Sequence, residues 1–291
     1  MNQISPSQEV RGVYLASIGF SLFALGDAVF KYLSTYYSIS FLLFFNATFG
    51  MSVLLLASPW LGGLKATLQT SQLKLHLLRS ILILIQLSLV VYGLSQMPMT
   101  KTYAIVFTAP LIATLLAIPL LKDPVNSKQW LAIAAGFVGV LVILRPGFIP
   151  LDLAALGVLI AALFFSLANI IVRFMRNTAN TILSWVFYQN MLILFVTGCL
   201  LNTDIIMPPA EHLALFAFLG ICSSSGAIFI TKAFLCSSVA TASSLHYIQM
   251  LWAAFLGYFI FHDDVDIWTM AGSVIIICSG IYLLQLAKKS E

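Results

Sequence analysis

The sequence predicts an all-α integral membrane protein: ten transmembrane helices in two inverted five-helix repeats. Three observations lead there. Hydrophobic residues make up 61% of the chain and charged residues 8%, against roughly 45–50% and 25% in soluble domains, so lipid must be the solvent for most of the surface. Ten apolar stretches long enough to span a bilayer follow one another with short connections. The chain also aligns with itself at a shift of about half its length.

A spanning helix needs about 20 mainly apolar residues. That ruler gives Val13–Leu33, Ser40–Ser58, Leu75–Ser95, Lys101–Leu121 and Lys128–Leu144, then Leu153–Phe174, Thr181–Leu201, Leu213–Lys232, Val239–Phe261 and Ile267–Leu286. Turn formers separate them, among them Pro59 with Gly62 and Gly63, Asp123 with Pro124, Arg145 with Pro146 and Gly147, and Pro208 with Pro209. The first stretch carries Asp27 and Lys31 with no small-residue cleavage site after it, so it reads as a retained helix rather than a signal peptide. With the N-terminus inside, Arg11, Lys65, Lys74, Arg79, Lys122, Lys128, Arg173, Arg176, Lys232, Lys288 and Lys289 fall on the cytoplasmic side, and Lys31, Lys101 and Arg145 on the other. That asymmetry predicts an inner-membrane protein of the cell with both termini cytoplasmic. Trp60, Trp130 and Trp268, near segment ends, read as interfacial anchors.

A shift of 142 residues lays the first segment on the sixth, with Phe23 on Phe165, Leu25 on Leu167, Asp27 on Asn169 and Lys31 on Arg173. A shift of 141 lays the fourth and fifth on the ninth and tenth, with Thr100 on Thr241, Asp123 on Asp264 and Gly139 on Gly280. The units are residues 1–146 and 147–291. Five helices per unit is odd, so the second unit must enter the membrane upside down, a recurring plan of secondary transporters with a site near the midplane.

Asp27 is the sharpest single feature. It lies four residues beyond the centre of the first segment, about 6 Å from the midplane, where a charged side chain costs about 2.5–3.5 kcal/mol on insertion scales. Two readings stand: a substrate contact or proton site, or an ion pair with Lys31 one turn on. Lys31 and Arg173 sit near helix ends, as gating or snorkelling charges. Gln86 lines the cavity or bonds a neighbouring helix. In the fourth segment Tyr103, Phe107, Pro110 and Thr114 share a face, and Pro110 is expected to bend the helix. Ser244, Ile248, Trp252 and Phe255 answer from the ninth, so that a planar substrate could stack between the two faces. Asn169 and Gln189 complete the substrate-binding set. His246 reads either as a packing residue or, with Asp27, as a candidate proton site. Cys199, Cys222, Cys236 and Cys278 form no metal-ligand spacing, and no Walker motif occurs, so no metal and no cofactor are expected. No basic run suits nucleic acid. H-E-x-x-H and G-x-S-x-G are absent, which argues against an enzyme, although an intramembrane enzyme remains the alternative of another class.

The stretch MPMTKTYAIVFTAPLIATLLAIPLLKDPVNSKQWLAIAAGFVGVLVILRPG, from Met97 to Gly147, and SLHYIQMLWAAFLGYFIFHDDVDIWTMAGSVIIICSGIYLL, from Ser244 to Leu284, resemble the drug/metabolite transporter superfamily in its EamA-type branch. The resemblance covers essentially the whole chain. It implies ten helices in two inverted halves around a central cavity. Family members usually carry Glu where this chain has Asp123 and Asp264, and many carry Arg where it has Asn46. The resemblance implies a secondary-active or facilitative carrier of a small metabolite, working by alternating access as a monomer or homodimer in the lipid bilayer. Its wording is nearest to riboflavin-uptake and S-adenosylmethionine-uptake members. Riboflavin or a related planar metabolite is the first expectation, S-adenosylmethionine or an amino acid the alternative.

Overall fold

The computed structural model describes residues 6–60, 63–68, 70, 72–121, 127–145, 152–175, 182–201, 207–237, 242, 245–263 and 266–289. Ser244, Asp123 and Asp264 lie outside the described residues. Among the described residues all regular structure is helical: α1 (Pro6–Leu33), α2 (Ile39–Ala57), α3 (Gly63–Leu68), α4 (Leu73–Gln96), α5 (Met99–Val106), α6 (Ala109–Leu121), α7 (Ser127–Leu144), α8 (Leu153–Phe174), α9 (Ile182–Leu200), α10 (Ala210–Cys236), α11 (Ile248–Phe259) and α12 (Ile267–Lys289). Seven stretches among the described residues are long and apolar enough to cross a membrane: α1 from Val10, α2, α4, Met99–Leu116, α8, α9 and α10. Shorter apolar cores lie in α7, α11 and α12.

Two departures from the expected segments matter for the site. The fourth segment is not one helix but two, α5 and α6, parted at Phe107 and Thr108. Pro110 has no N–H to give to Val106, so the ladder is interrupted there, and the proline sits in the first turn of α6, where its ring is tolerated. The ninth segment does not run as a straight α-helix. A 3-10 turn at Leu245–Tyr247 precedes α11.

The bundle is inside-out relative to a soluble protein. Large apolar side chains such as Tyr14, Leu56, Leu131, Leu153, Phe195 and Leu251 point outward, while Asn46, Arg79, Asn169, Asn190 and Gln249 are buried. Lipid tails are as apolar as leucine, so close packing rather than water exclusion must hold the helices. α1 packs along α10, α4 along α8, α2 between α9 and α10, and α7 along α12. Small residues set these approaches. A Cβ on Gly139 of α7 would lie 2.8 Å from the Gly272 carbonyl oxygen of α12, and one on Gly272 would lie 2.6 Å from the Gly139 oxygen. Neither backbone can give way without the helices parting. Gly139→Val is therefore expected to destabilise by about 1–3 kcal/mol, seen as a lower thermal unfolding midpoint in detergent, whereas Val138→Leu on the outward face should leave it unchanged. Val138 is 53% exposed.

Helix starts are capped in the ordinary way. Ser38 accepts from the Phe41 N–H at α2, and Asp152 accepts from the Ala154 N–H at α8. Asp266 accepts from the Trp268 N–H at 2.8 Å and the Thr269 hydroxyl at 2.7 Å. Partial burial pushes the Asp266 carboxyl up, but the Thr269 hydroxyl, the Trp268 amide and Arg145 outweigh it and hold the group below its ordinary value.

Candidate functional site

A cavity opens at the centre of the bundle. Its empty space, open mouth included, measures about 970 Å³. Helices α1, α2, α4, α5, α8, α9, α10 and α11 all contribute, and the wall is mainly apolar, with Phe23, Phe30, Ile83, Val90 and Phe165 among its residues.

Polar groups are set into that wall at a few points. On α1, Asp27 accepts a hydrogen bond of 2.5 Å from the Tyr103 hydroxyl of α5. The same hydroxyl accepts from Gln249 Nε2 of α11 at 3.3 Å. Three helices thus meet in one chain of hydrogen bonds that ends on a carboxylate. From α4, Arg79 enters the cavity with its side chain buried. Its Nη1 donates to the Trp185 carbonyl and to Gln189 Oε1, both at 3.2 Å, and the guanidinium lies 5.5 Å from the Trp185 ring centre. Asn190 donates to the Ser224 hydroxyl at 3.1 Å, joining α9 to α10. Asn46 Oδ1 and Arg79 Nε have no partner among the described residues, whereas His246 and Gln249 face each other. Buried polar groups are ordinarily satisfied, so these two lining residues, Asn46 and Arg79, keep hydrogen-bonding capacity to spare.

Of the residues singled out in the sequence, Asp27, Gln86, Tyr103, Asn169, Gln189 and His246 line this cavity. Phe107, Ile248, Trp252, Lys31 and Arg173 do not. Phe107 is buried behind it, edge-on to the His246 ring at 6.1 Å. Trp252 turns to α1, where its Nε1 donates to the Ser21 hydroxyl at 2.9 Å. The two aromatic faces expected to sandwich a planar substrate therefore do not oppose each other across the cavity. The cause is the 3-10 turn before α11. It turns the chain further per residue than an α-helix and swings His246 and Gln249 inward in place of Ile248 and Trp252.

Lys31 forms an ion pair, but with Asp263 at 2.8 Å rather than with Asp27. It sits in the last turn of α1, where its long side chain reaches past the helix end to the segment between α11 and α12. Asp27, a turn deeper, is left to Tyr103. Arg173 donates to the Ser237 carbonyl at 3.2 Å. His246 stacks on Phe20 at 4.5 Å, between aromatic neighbours.

Arg79, Gln249, Asn46 and Asn190 line the cavity outside the substrate-binding set expected from sequence. Arg79 had been counted among the cytoplasmic charges because it lies near the start of its apolar stretch. The signal that could have found it is its position one and a half turns inside α4, with Lys74 already available to mark the helix end.

A polytopic helical bundle with a mainly apolar central cavity that carries a few polar groups has the architecture of a carrier of small molecules. The EamA-like transporter family model matches residues 10–145 and again 152–285, and the chain belongs to that family. It is a multi-pass membrane transporter. It is 29% identical over 283 residues to an S-adenosylmethionine uptake transporter of Rickettsia conorii, covering 95% of both chains. A protein of the same description from Rickettsia prowazekii is 29% identical over 267 residues, 92% of this chain and 90% of that one. A riboflavin transporter of Rhizobium johnstonii is 25% identical over 221 residues, 74% and 72% of the two chains. A solved crystal structure shares the fold at a TM-score of 0.70 with 14% identity, covering 98% of this chain and 99% of that one.

Proposed function

We propose that this chain is a ten-helix carrier of two inverted halves that moves an organic cation of the S-adenosylmethionine class across the cell inner membrane by alternating access. One observation carries the substrate reading. Asp27 presents a carboxylate to the central cavity, its hydrogen-bond partner is the neutral Tyr103, and it has no basic partner among the described residues. A charge kept in the bilayer without a counterion is costly, and a cationic substrate would supply the missing partner. Similarity to the Rickettsia carriers over nearly full length supports the same reading. Riboflavin, the first expectation, has less support, because the aromatic faces that favoured it lie apart and the relative of that description matches less of the chain.

The packing supports the inverted halves. Exchanging the halves sends the α1–α10 contact onto α8–α4, the α2–α10 contact onto α9–α4, and the α11–α1 contact onto α6–α8, and each of these partner contacts is present. The α2–α9 and α7–α12 contacts map onto themselves. The Lys and Arg count supports cytoplasmic termini, with eleven on that side against Lys31, Lys101 and Arg145 on the other.

Sealed liposomes containing only this protein are expected to exchange labelled S-adenosylmethionine against an internal unlabelled pool without nucleotide. Exchange of riboflavin but not of S-adenosylmethionine would overturn the substrate reading. Chemical turnover of a lipid with no exchange of either would overturn the carrier mechanism.

A further inference from the structure

The cavity carries a second charge that a simple cation site has no use for. Arg79 is 4% exposed, and among the described residues it has no acidic partner. Its Nη1 is engaged by two neutral oxygens, and its Nε–H has no acceptor among the described residues. A buried guanidinium ordinarily needs a counter-charge. The nearest candidate in the same cavity, Asp27, is not within ion-pair reach. The two charges belong to opposite ends of the bundle. Asp27 lies six residues before the end of α1 and Arg79 six residues after the start of α4. Helices α1 and α4 run parallel, so Asp27 lies about 9 Å from the end of its helix at one side of the bundle and Arg79 about 9 Å from the end of its helix at the other.

An acid at one end and a base at the other, held apart in one cavity, suit a ligand that is itself dipolar. We propose that Arg79 is the residue that reads a substrate carboxylate, so that the cavity takes an elongated zwitterion with its carboxylate toward Arg79 and its cationic centre toward Asp27. The planar guanidinium fork matches a carboxylate, which Lys would meet only as a point charge. Gln189 holds one arm of the fork and leaves Nε–H free. The carboxylate is thereby assigned an orientation, and a cation lacking it is disfavoured even when its positive centre is unchanged. This inference rests on the substrate reading above, since S-adenosylmethionine carries an α-carboxylate beside its α-ammonium and a sulfonium farther along the same molecule.

The test is equilibrium binding to the detergent-purified full chain, using S-adenosylmethionine and its decarboxylated analogue. Wild-type protein is expected to prefer the carboxylated form by about ten- to a hundredfold, the range of a charge-assisted bidentate contact. Arg79→Gln is expected to bring both compounds to the same affinity by weakening S-adenosylmethionine alone. Equal wild-type affinity for the two compounds, or an unchanged preference in Arg79→Gln, would overturn the proposal. Should Arg79→Gln fail to fold, Arg79→Lys keeps the charge and loses the fork, and its preference is expected to fall at least severalfold. If wild-type protein binds neither compound, the substrate reading falls by itself. The dipolar reading is then judged on L-arginine against agmatine, the same pair of charges with and without the carboxylate. Preference for L-arginine keeps it, and equal or absent binding ends it.

Discussion

Asp27→Asn is expected to lower transport by about two orders of magnitude while leaving the folded protein as stable as wild type or more so. Asn has the shape of Asp and still offers an oxygen to the Tyr103 hydroxyl, so the hydrogen-bond chain from Gln249 through Tyr103 keeps its geometry. Only the charge is lost. A cation entering the altered cavity meets no carboxylate among its described lining residues, and truncating one member of a buried charge pair costs about 2–5 kcal/mol, or roughly 30-fold and upward. Stability moves the other way, because a charge in the bilayer interior costs about 2.5–3.5 kcal/mol on insertion scales. The measurement pairs initial uptake in proteoliposomes with the thermal midpoint of the same preparation. A fall in the midpoint that matches the loss of transport would make Asp27 a structural group instead.

Lys31→Met is expected to cost about 2–3 kcal/mol of stability, below the 3–5 kcal/mol of a fully buried pair, because the Lys31 and Asp263 side chains keep 13% and 11% exposure. Asp263 does more than pair. Its Oδ2 also accepts the Met99 N–H at 2.7 Å, at the start of α5. The carboxylate is aimed there by the turn at His262, which takes a positive φ of 52° and brings the Asp263 N–H onto the Gly257 carbonyl at 2.9 Å. One carboxylate therefore ties α1, α5 and the end of α11. Removing Lys31 strands it without a cation. Lys31→Met combined with Asp263→Asn is expected to recover most of the loss, since Asn still accepts from Met99 and no charge is left over. Unfolding midpoints of the two single variants and the double variant measure this coupling, and simple addition of the single effects would refute it.

Much of the site was within reach of sequence alone. Asp27, Tyr103, Gln86, Asn169 and Gln189 are polar residues deep in apolar stretches, and lipid penalises such residues unless they turn to the bundle interior. Position in an apolar run does not say which interior partner each one finds. Asp27 and Lys31 share a helix face, yet the lysine goes to a residue more than two hundred positions away. Arg79 looked like a boundary charge because it lies four residues inside the Leu75–Ser95 run, and nothing in that run tells that its side chain turns inward to Trp185 and Gln189. Gln249 was out of phase because a single 3-10 turn shifts a helical register and leaves no mark in the hydrophobic pattern.

What the sequence determined by itself is what lipid dictates through composition: a helical membrane protein with an internal repeat. Backbone groups cannot be left open in hydrocarbon, so apolar length alone selects helices. Only the tertiary structure decided the charge partners: Lys31 with Asp263, Asp27 with Tyr103, and Arg79 in the same cavity with no acidic partner among the described residues. Those pairings depend on side-chain reach between helices far apart in the chain, a few ångströms at a time, and no periodicity along one helix encodes them.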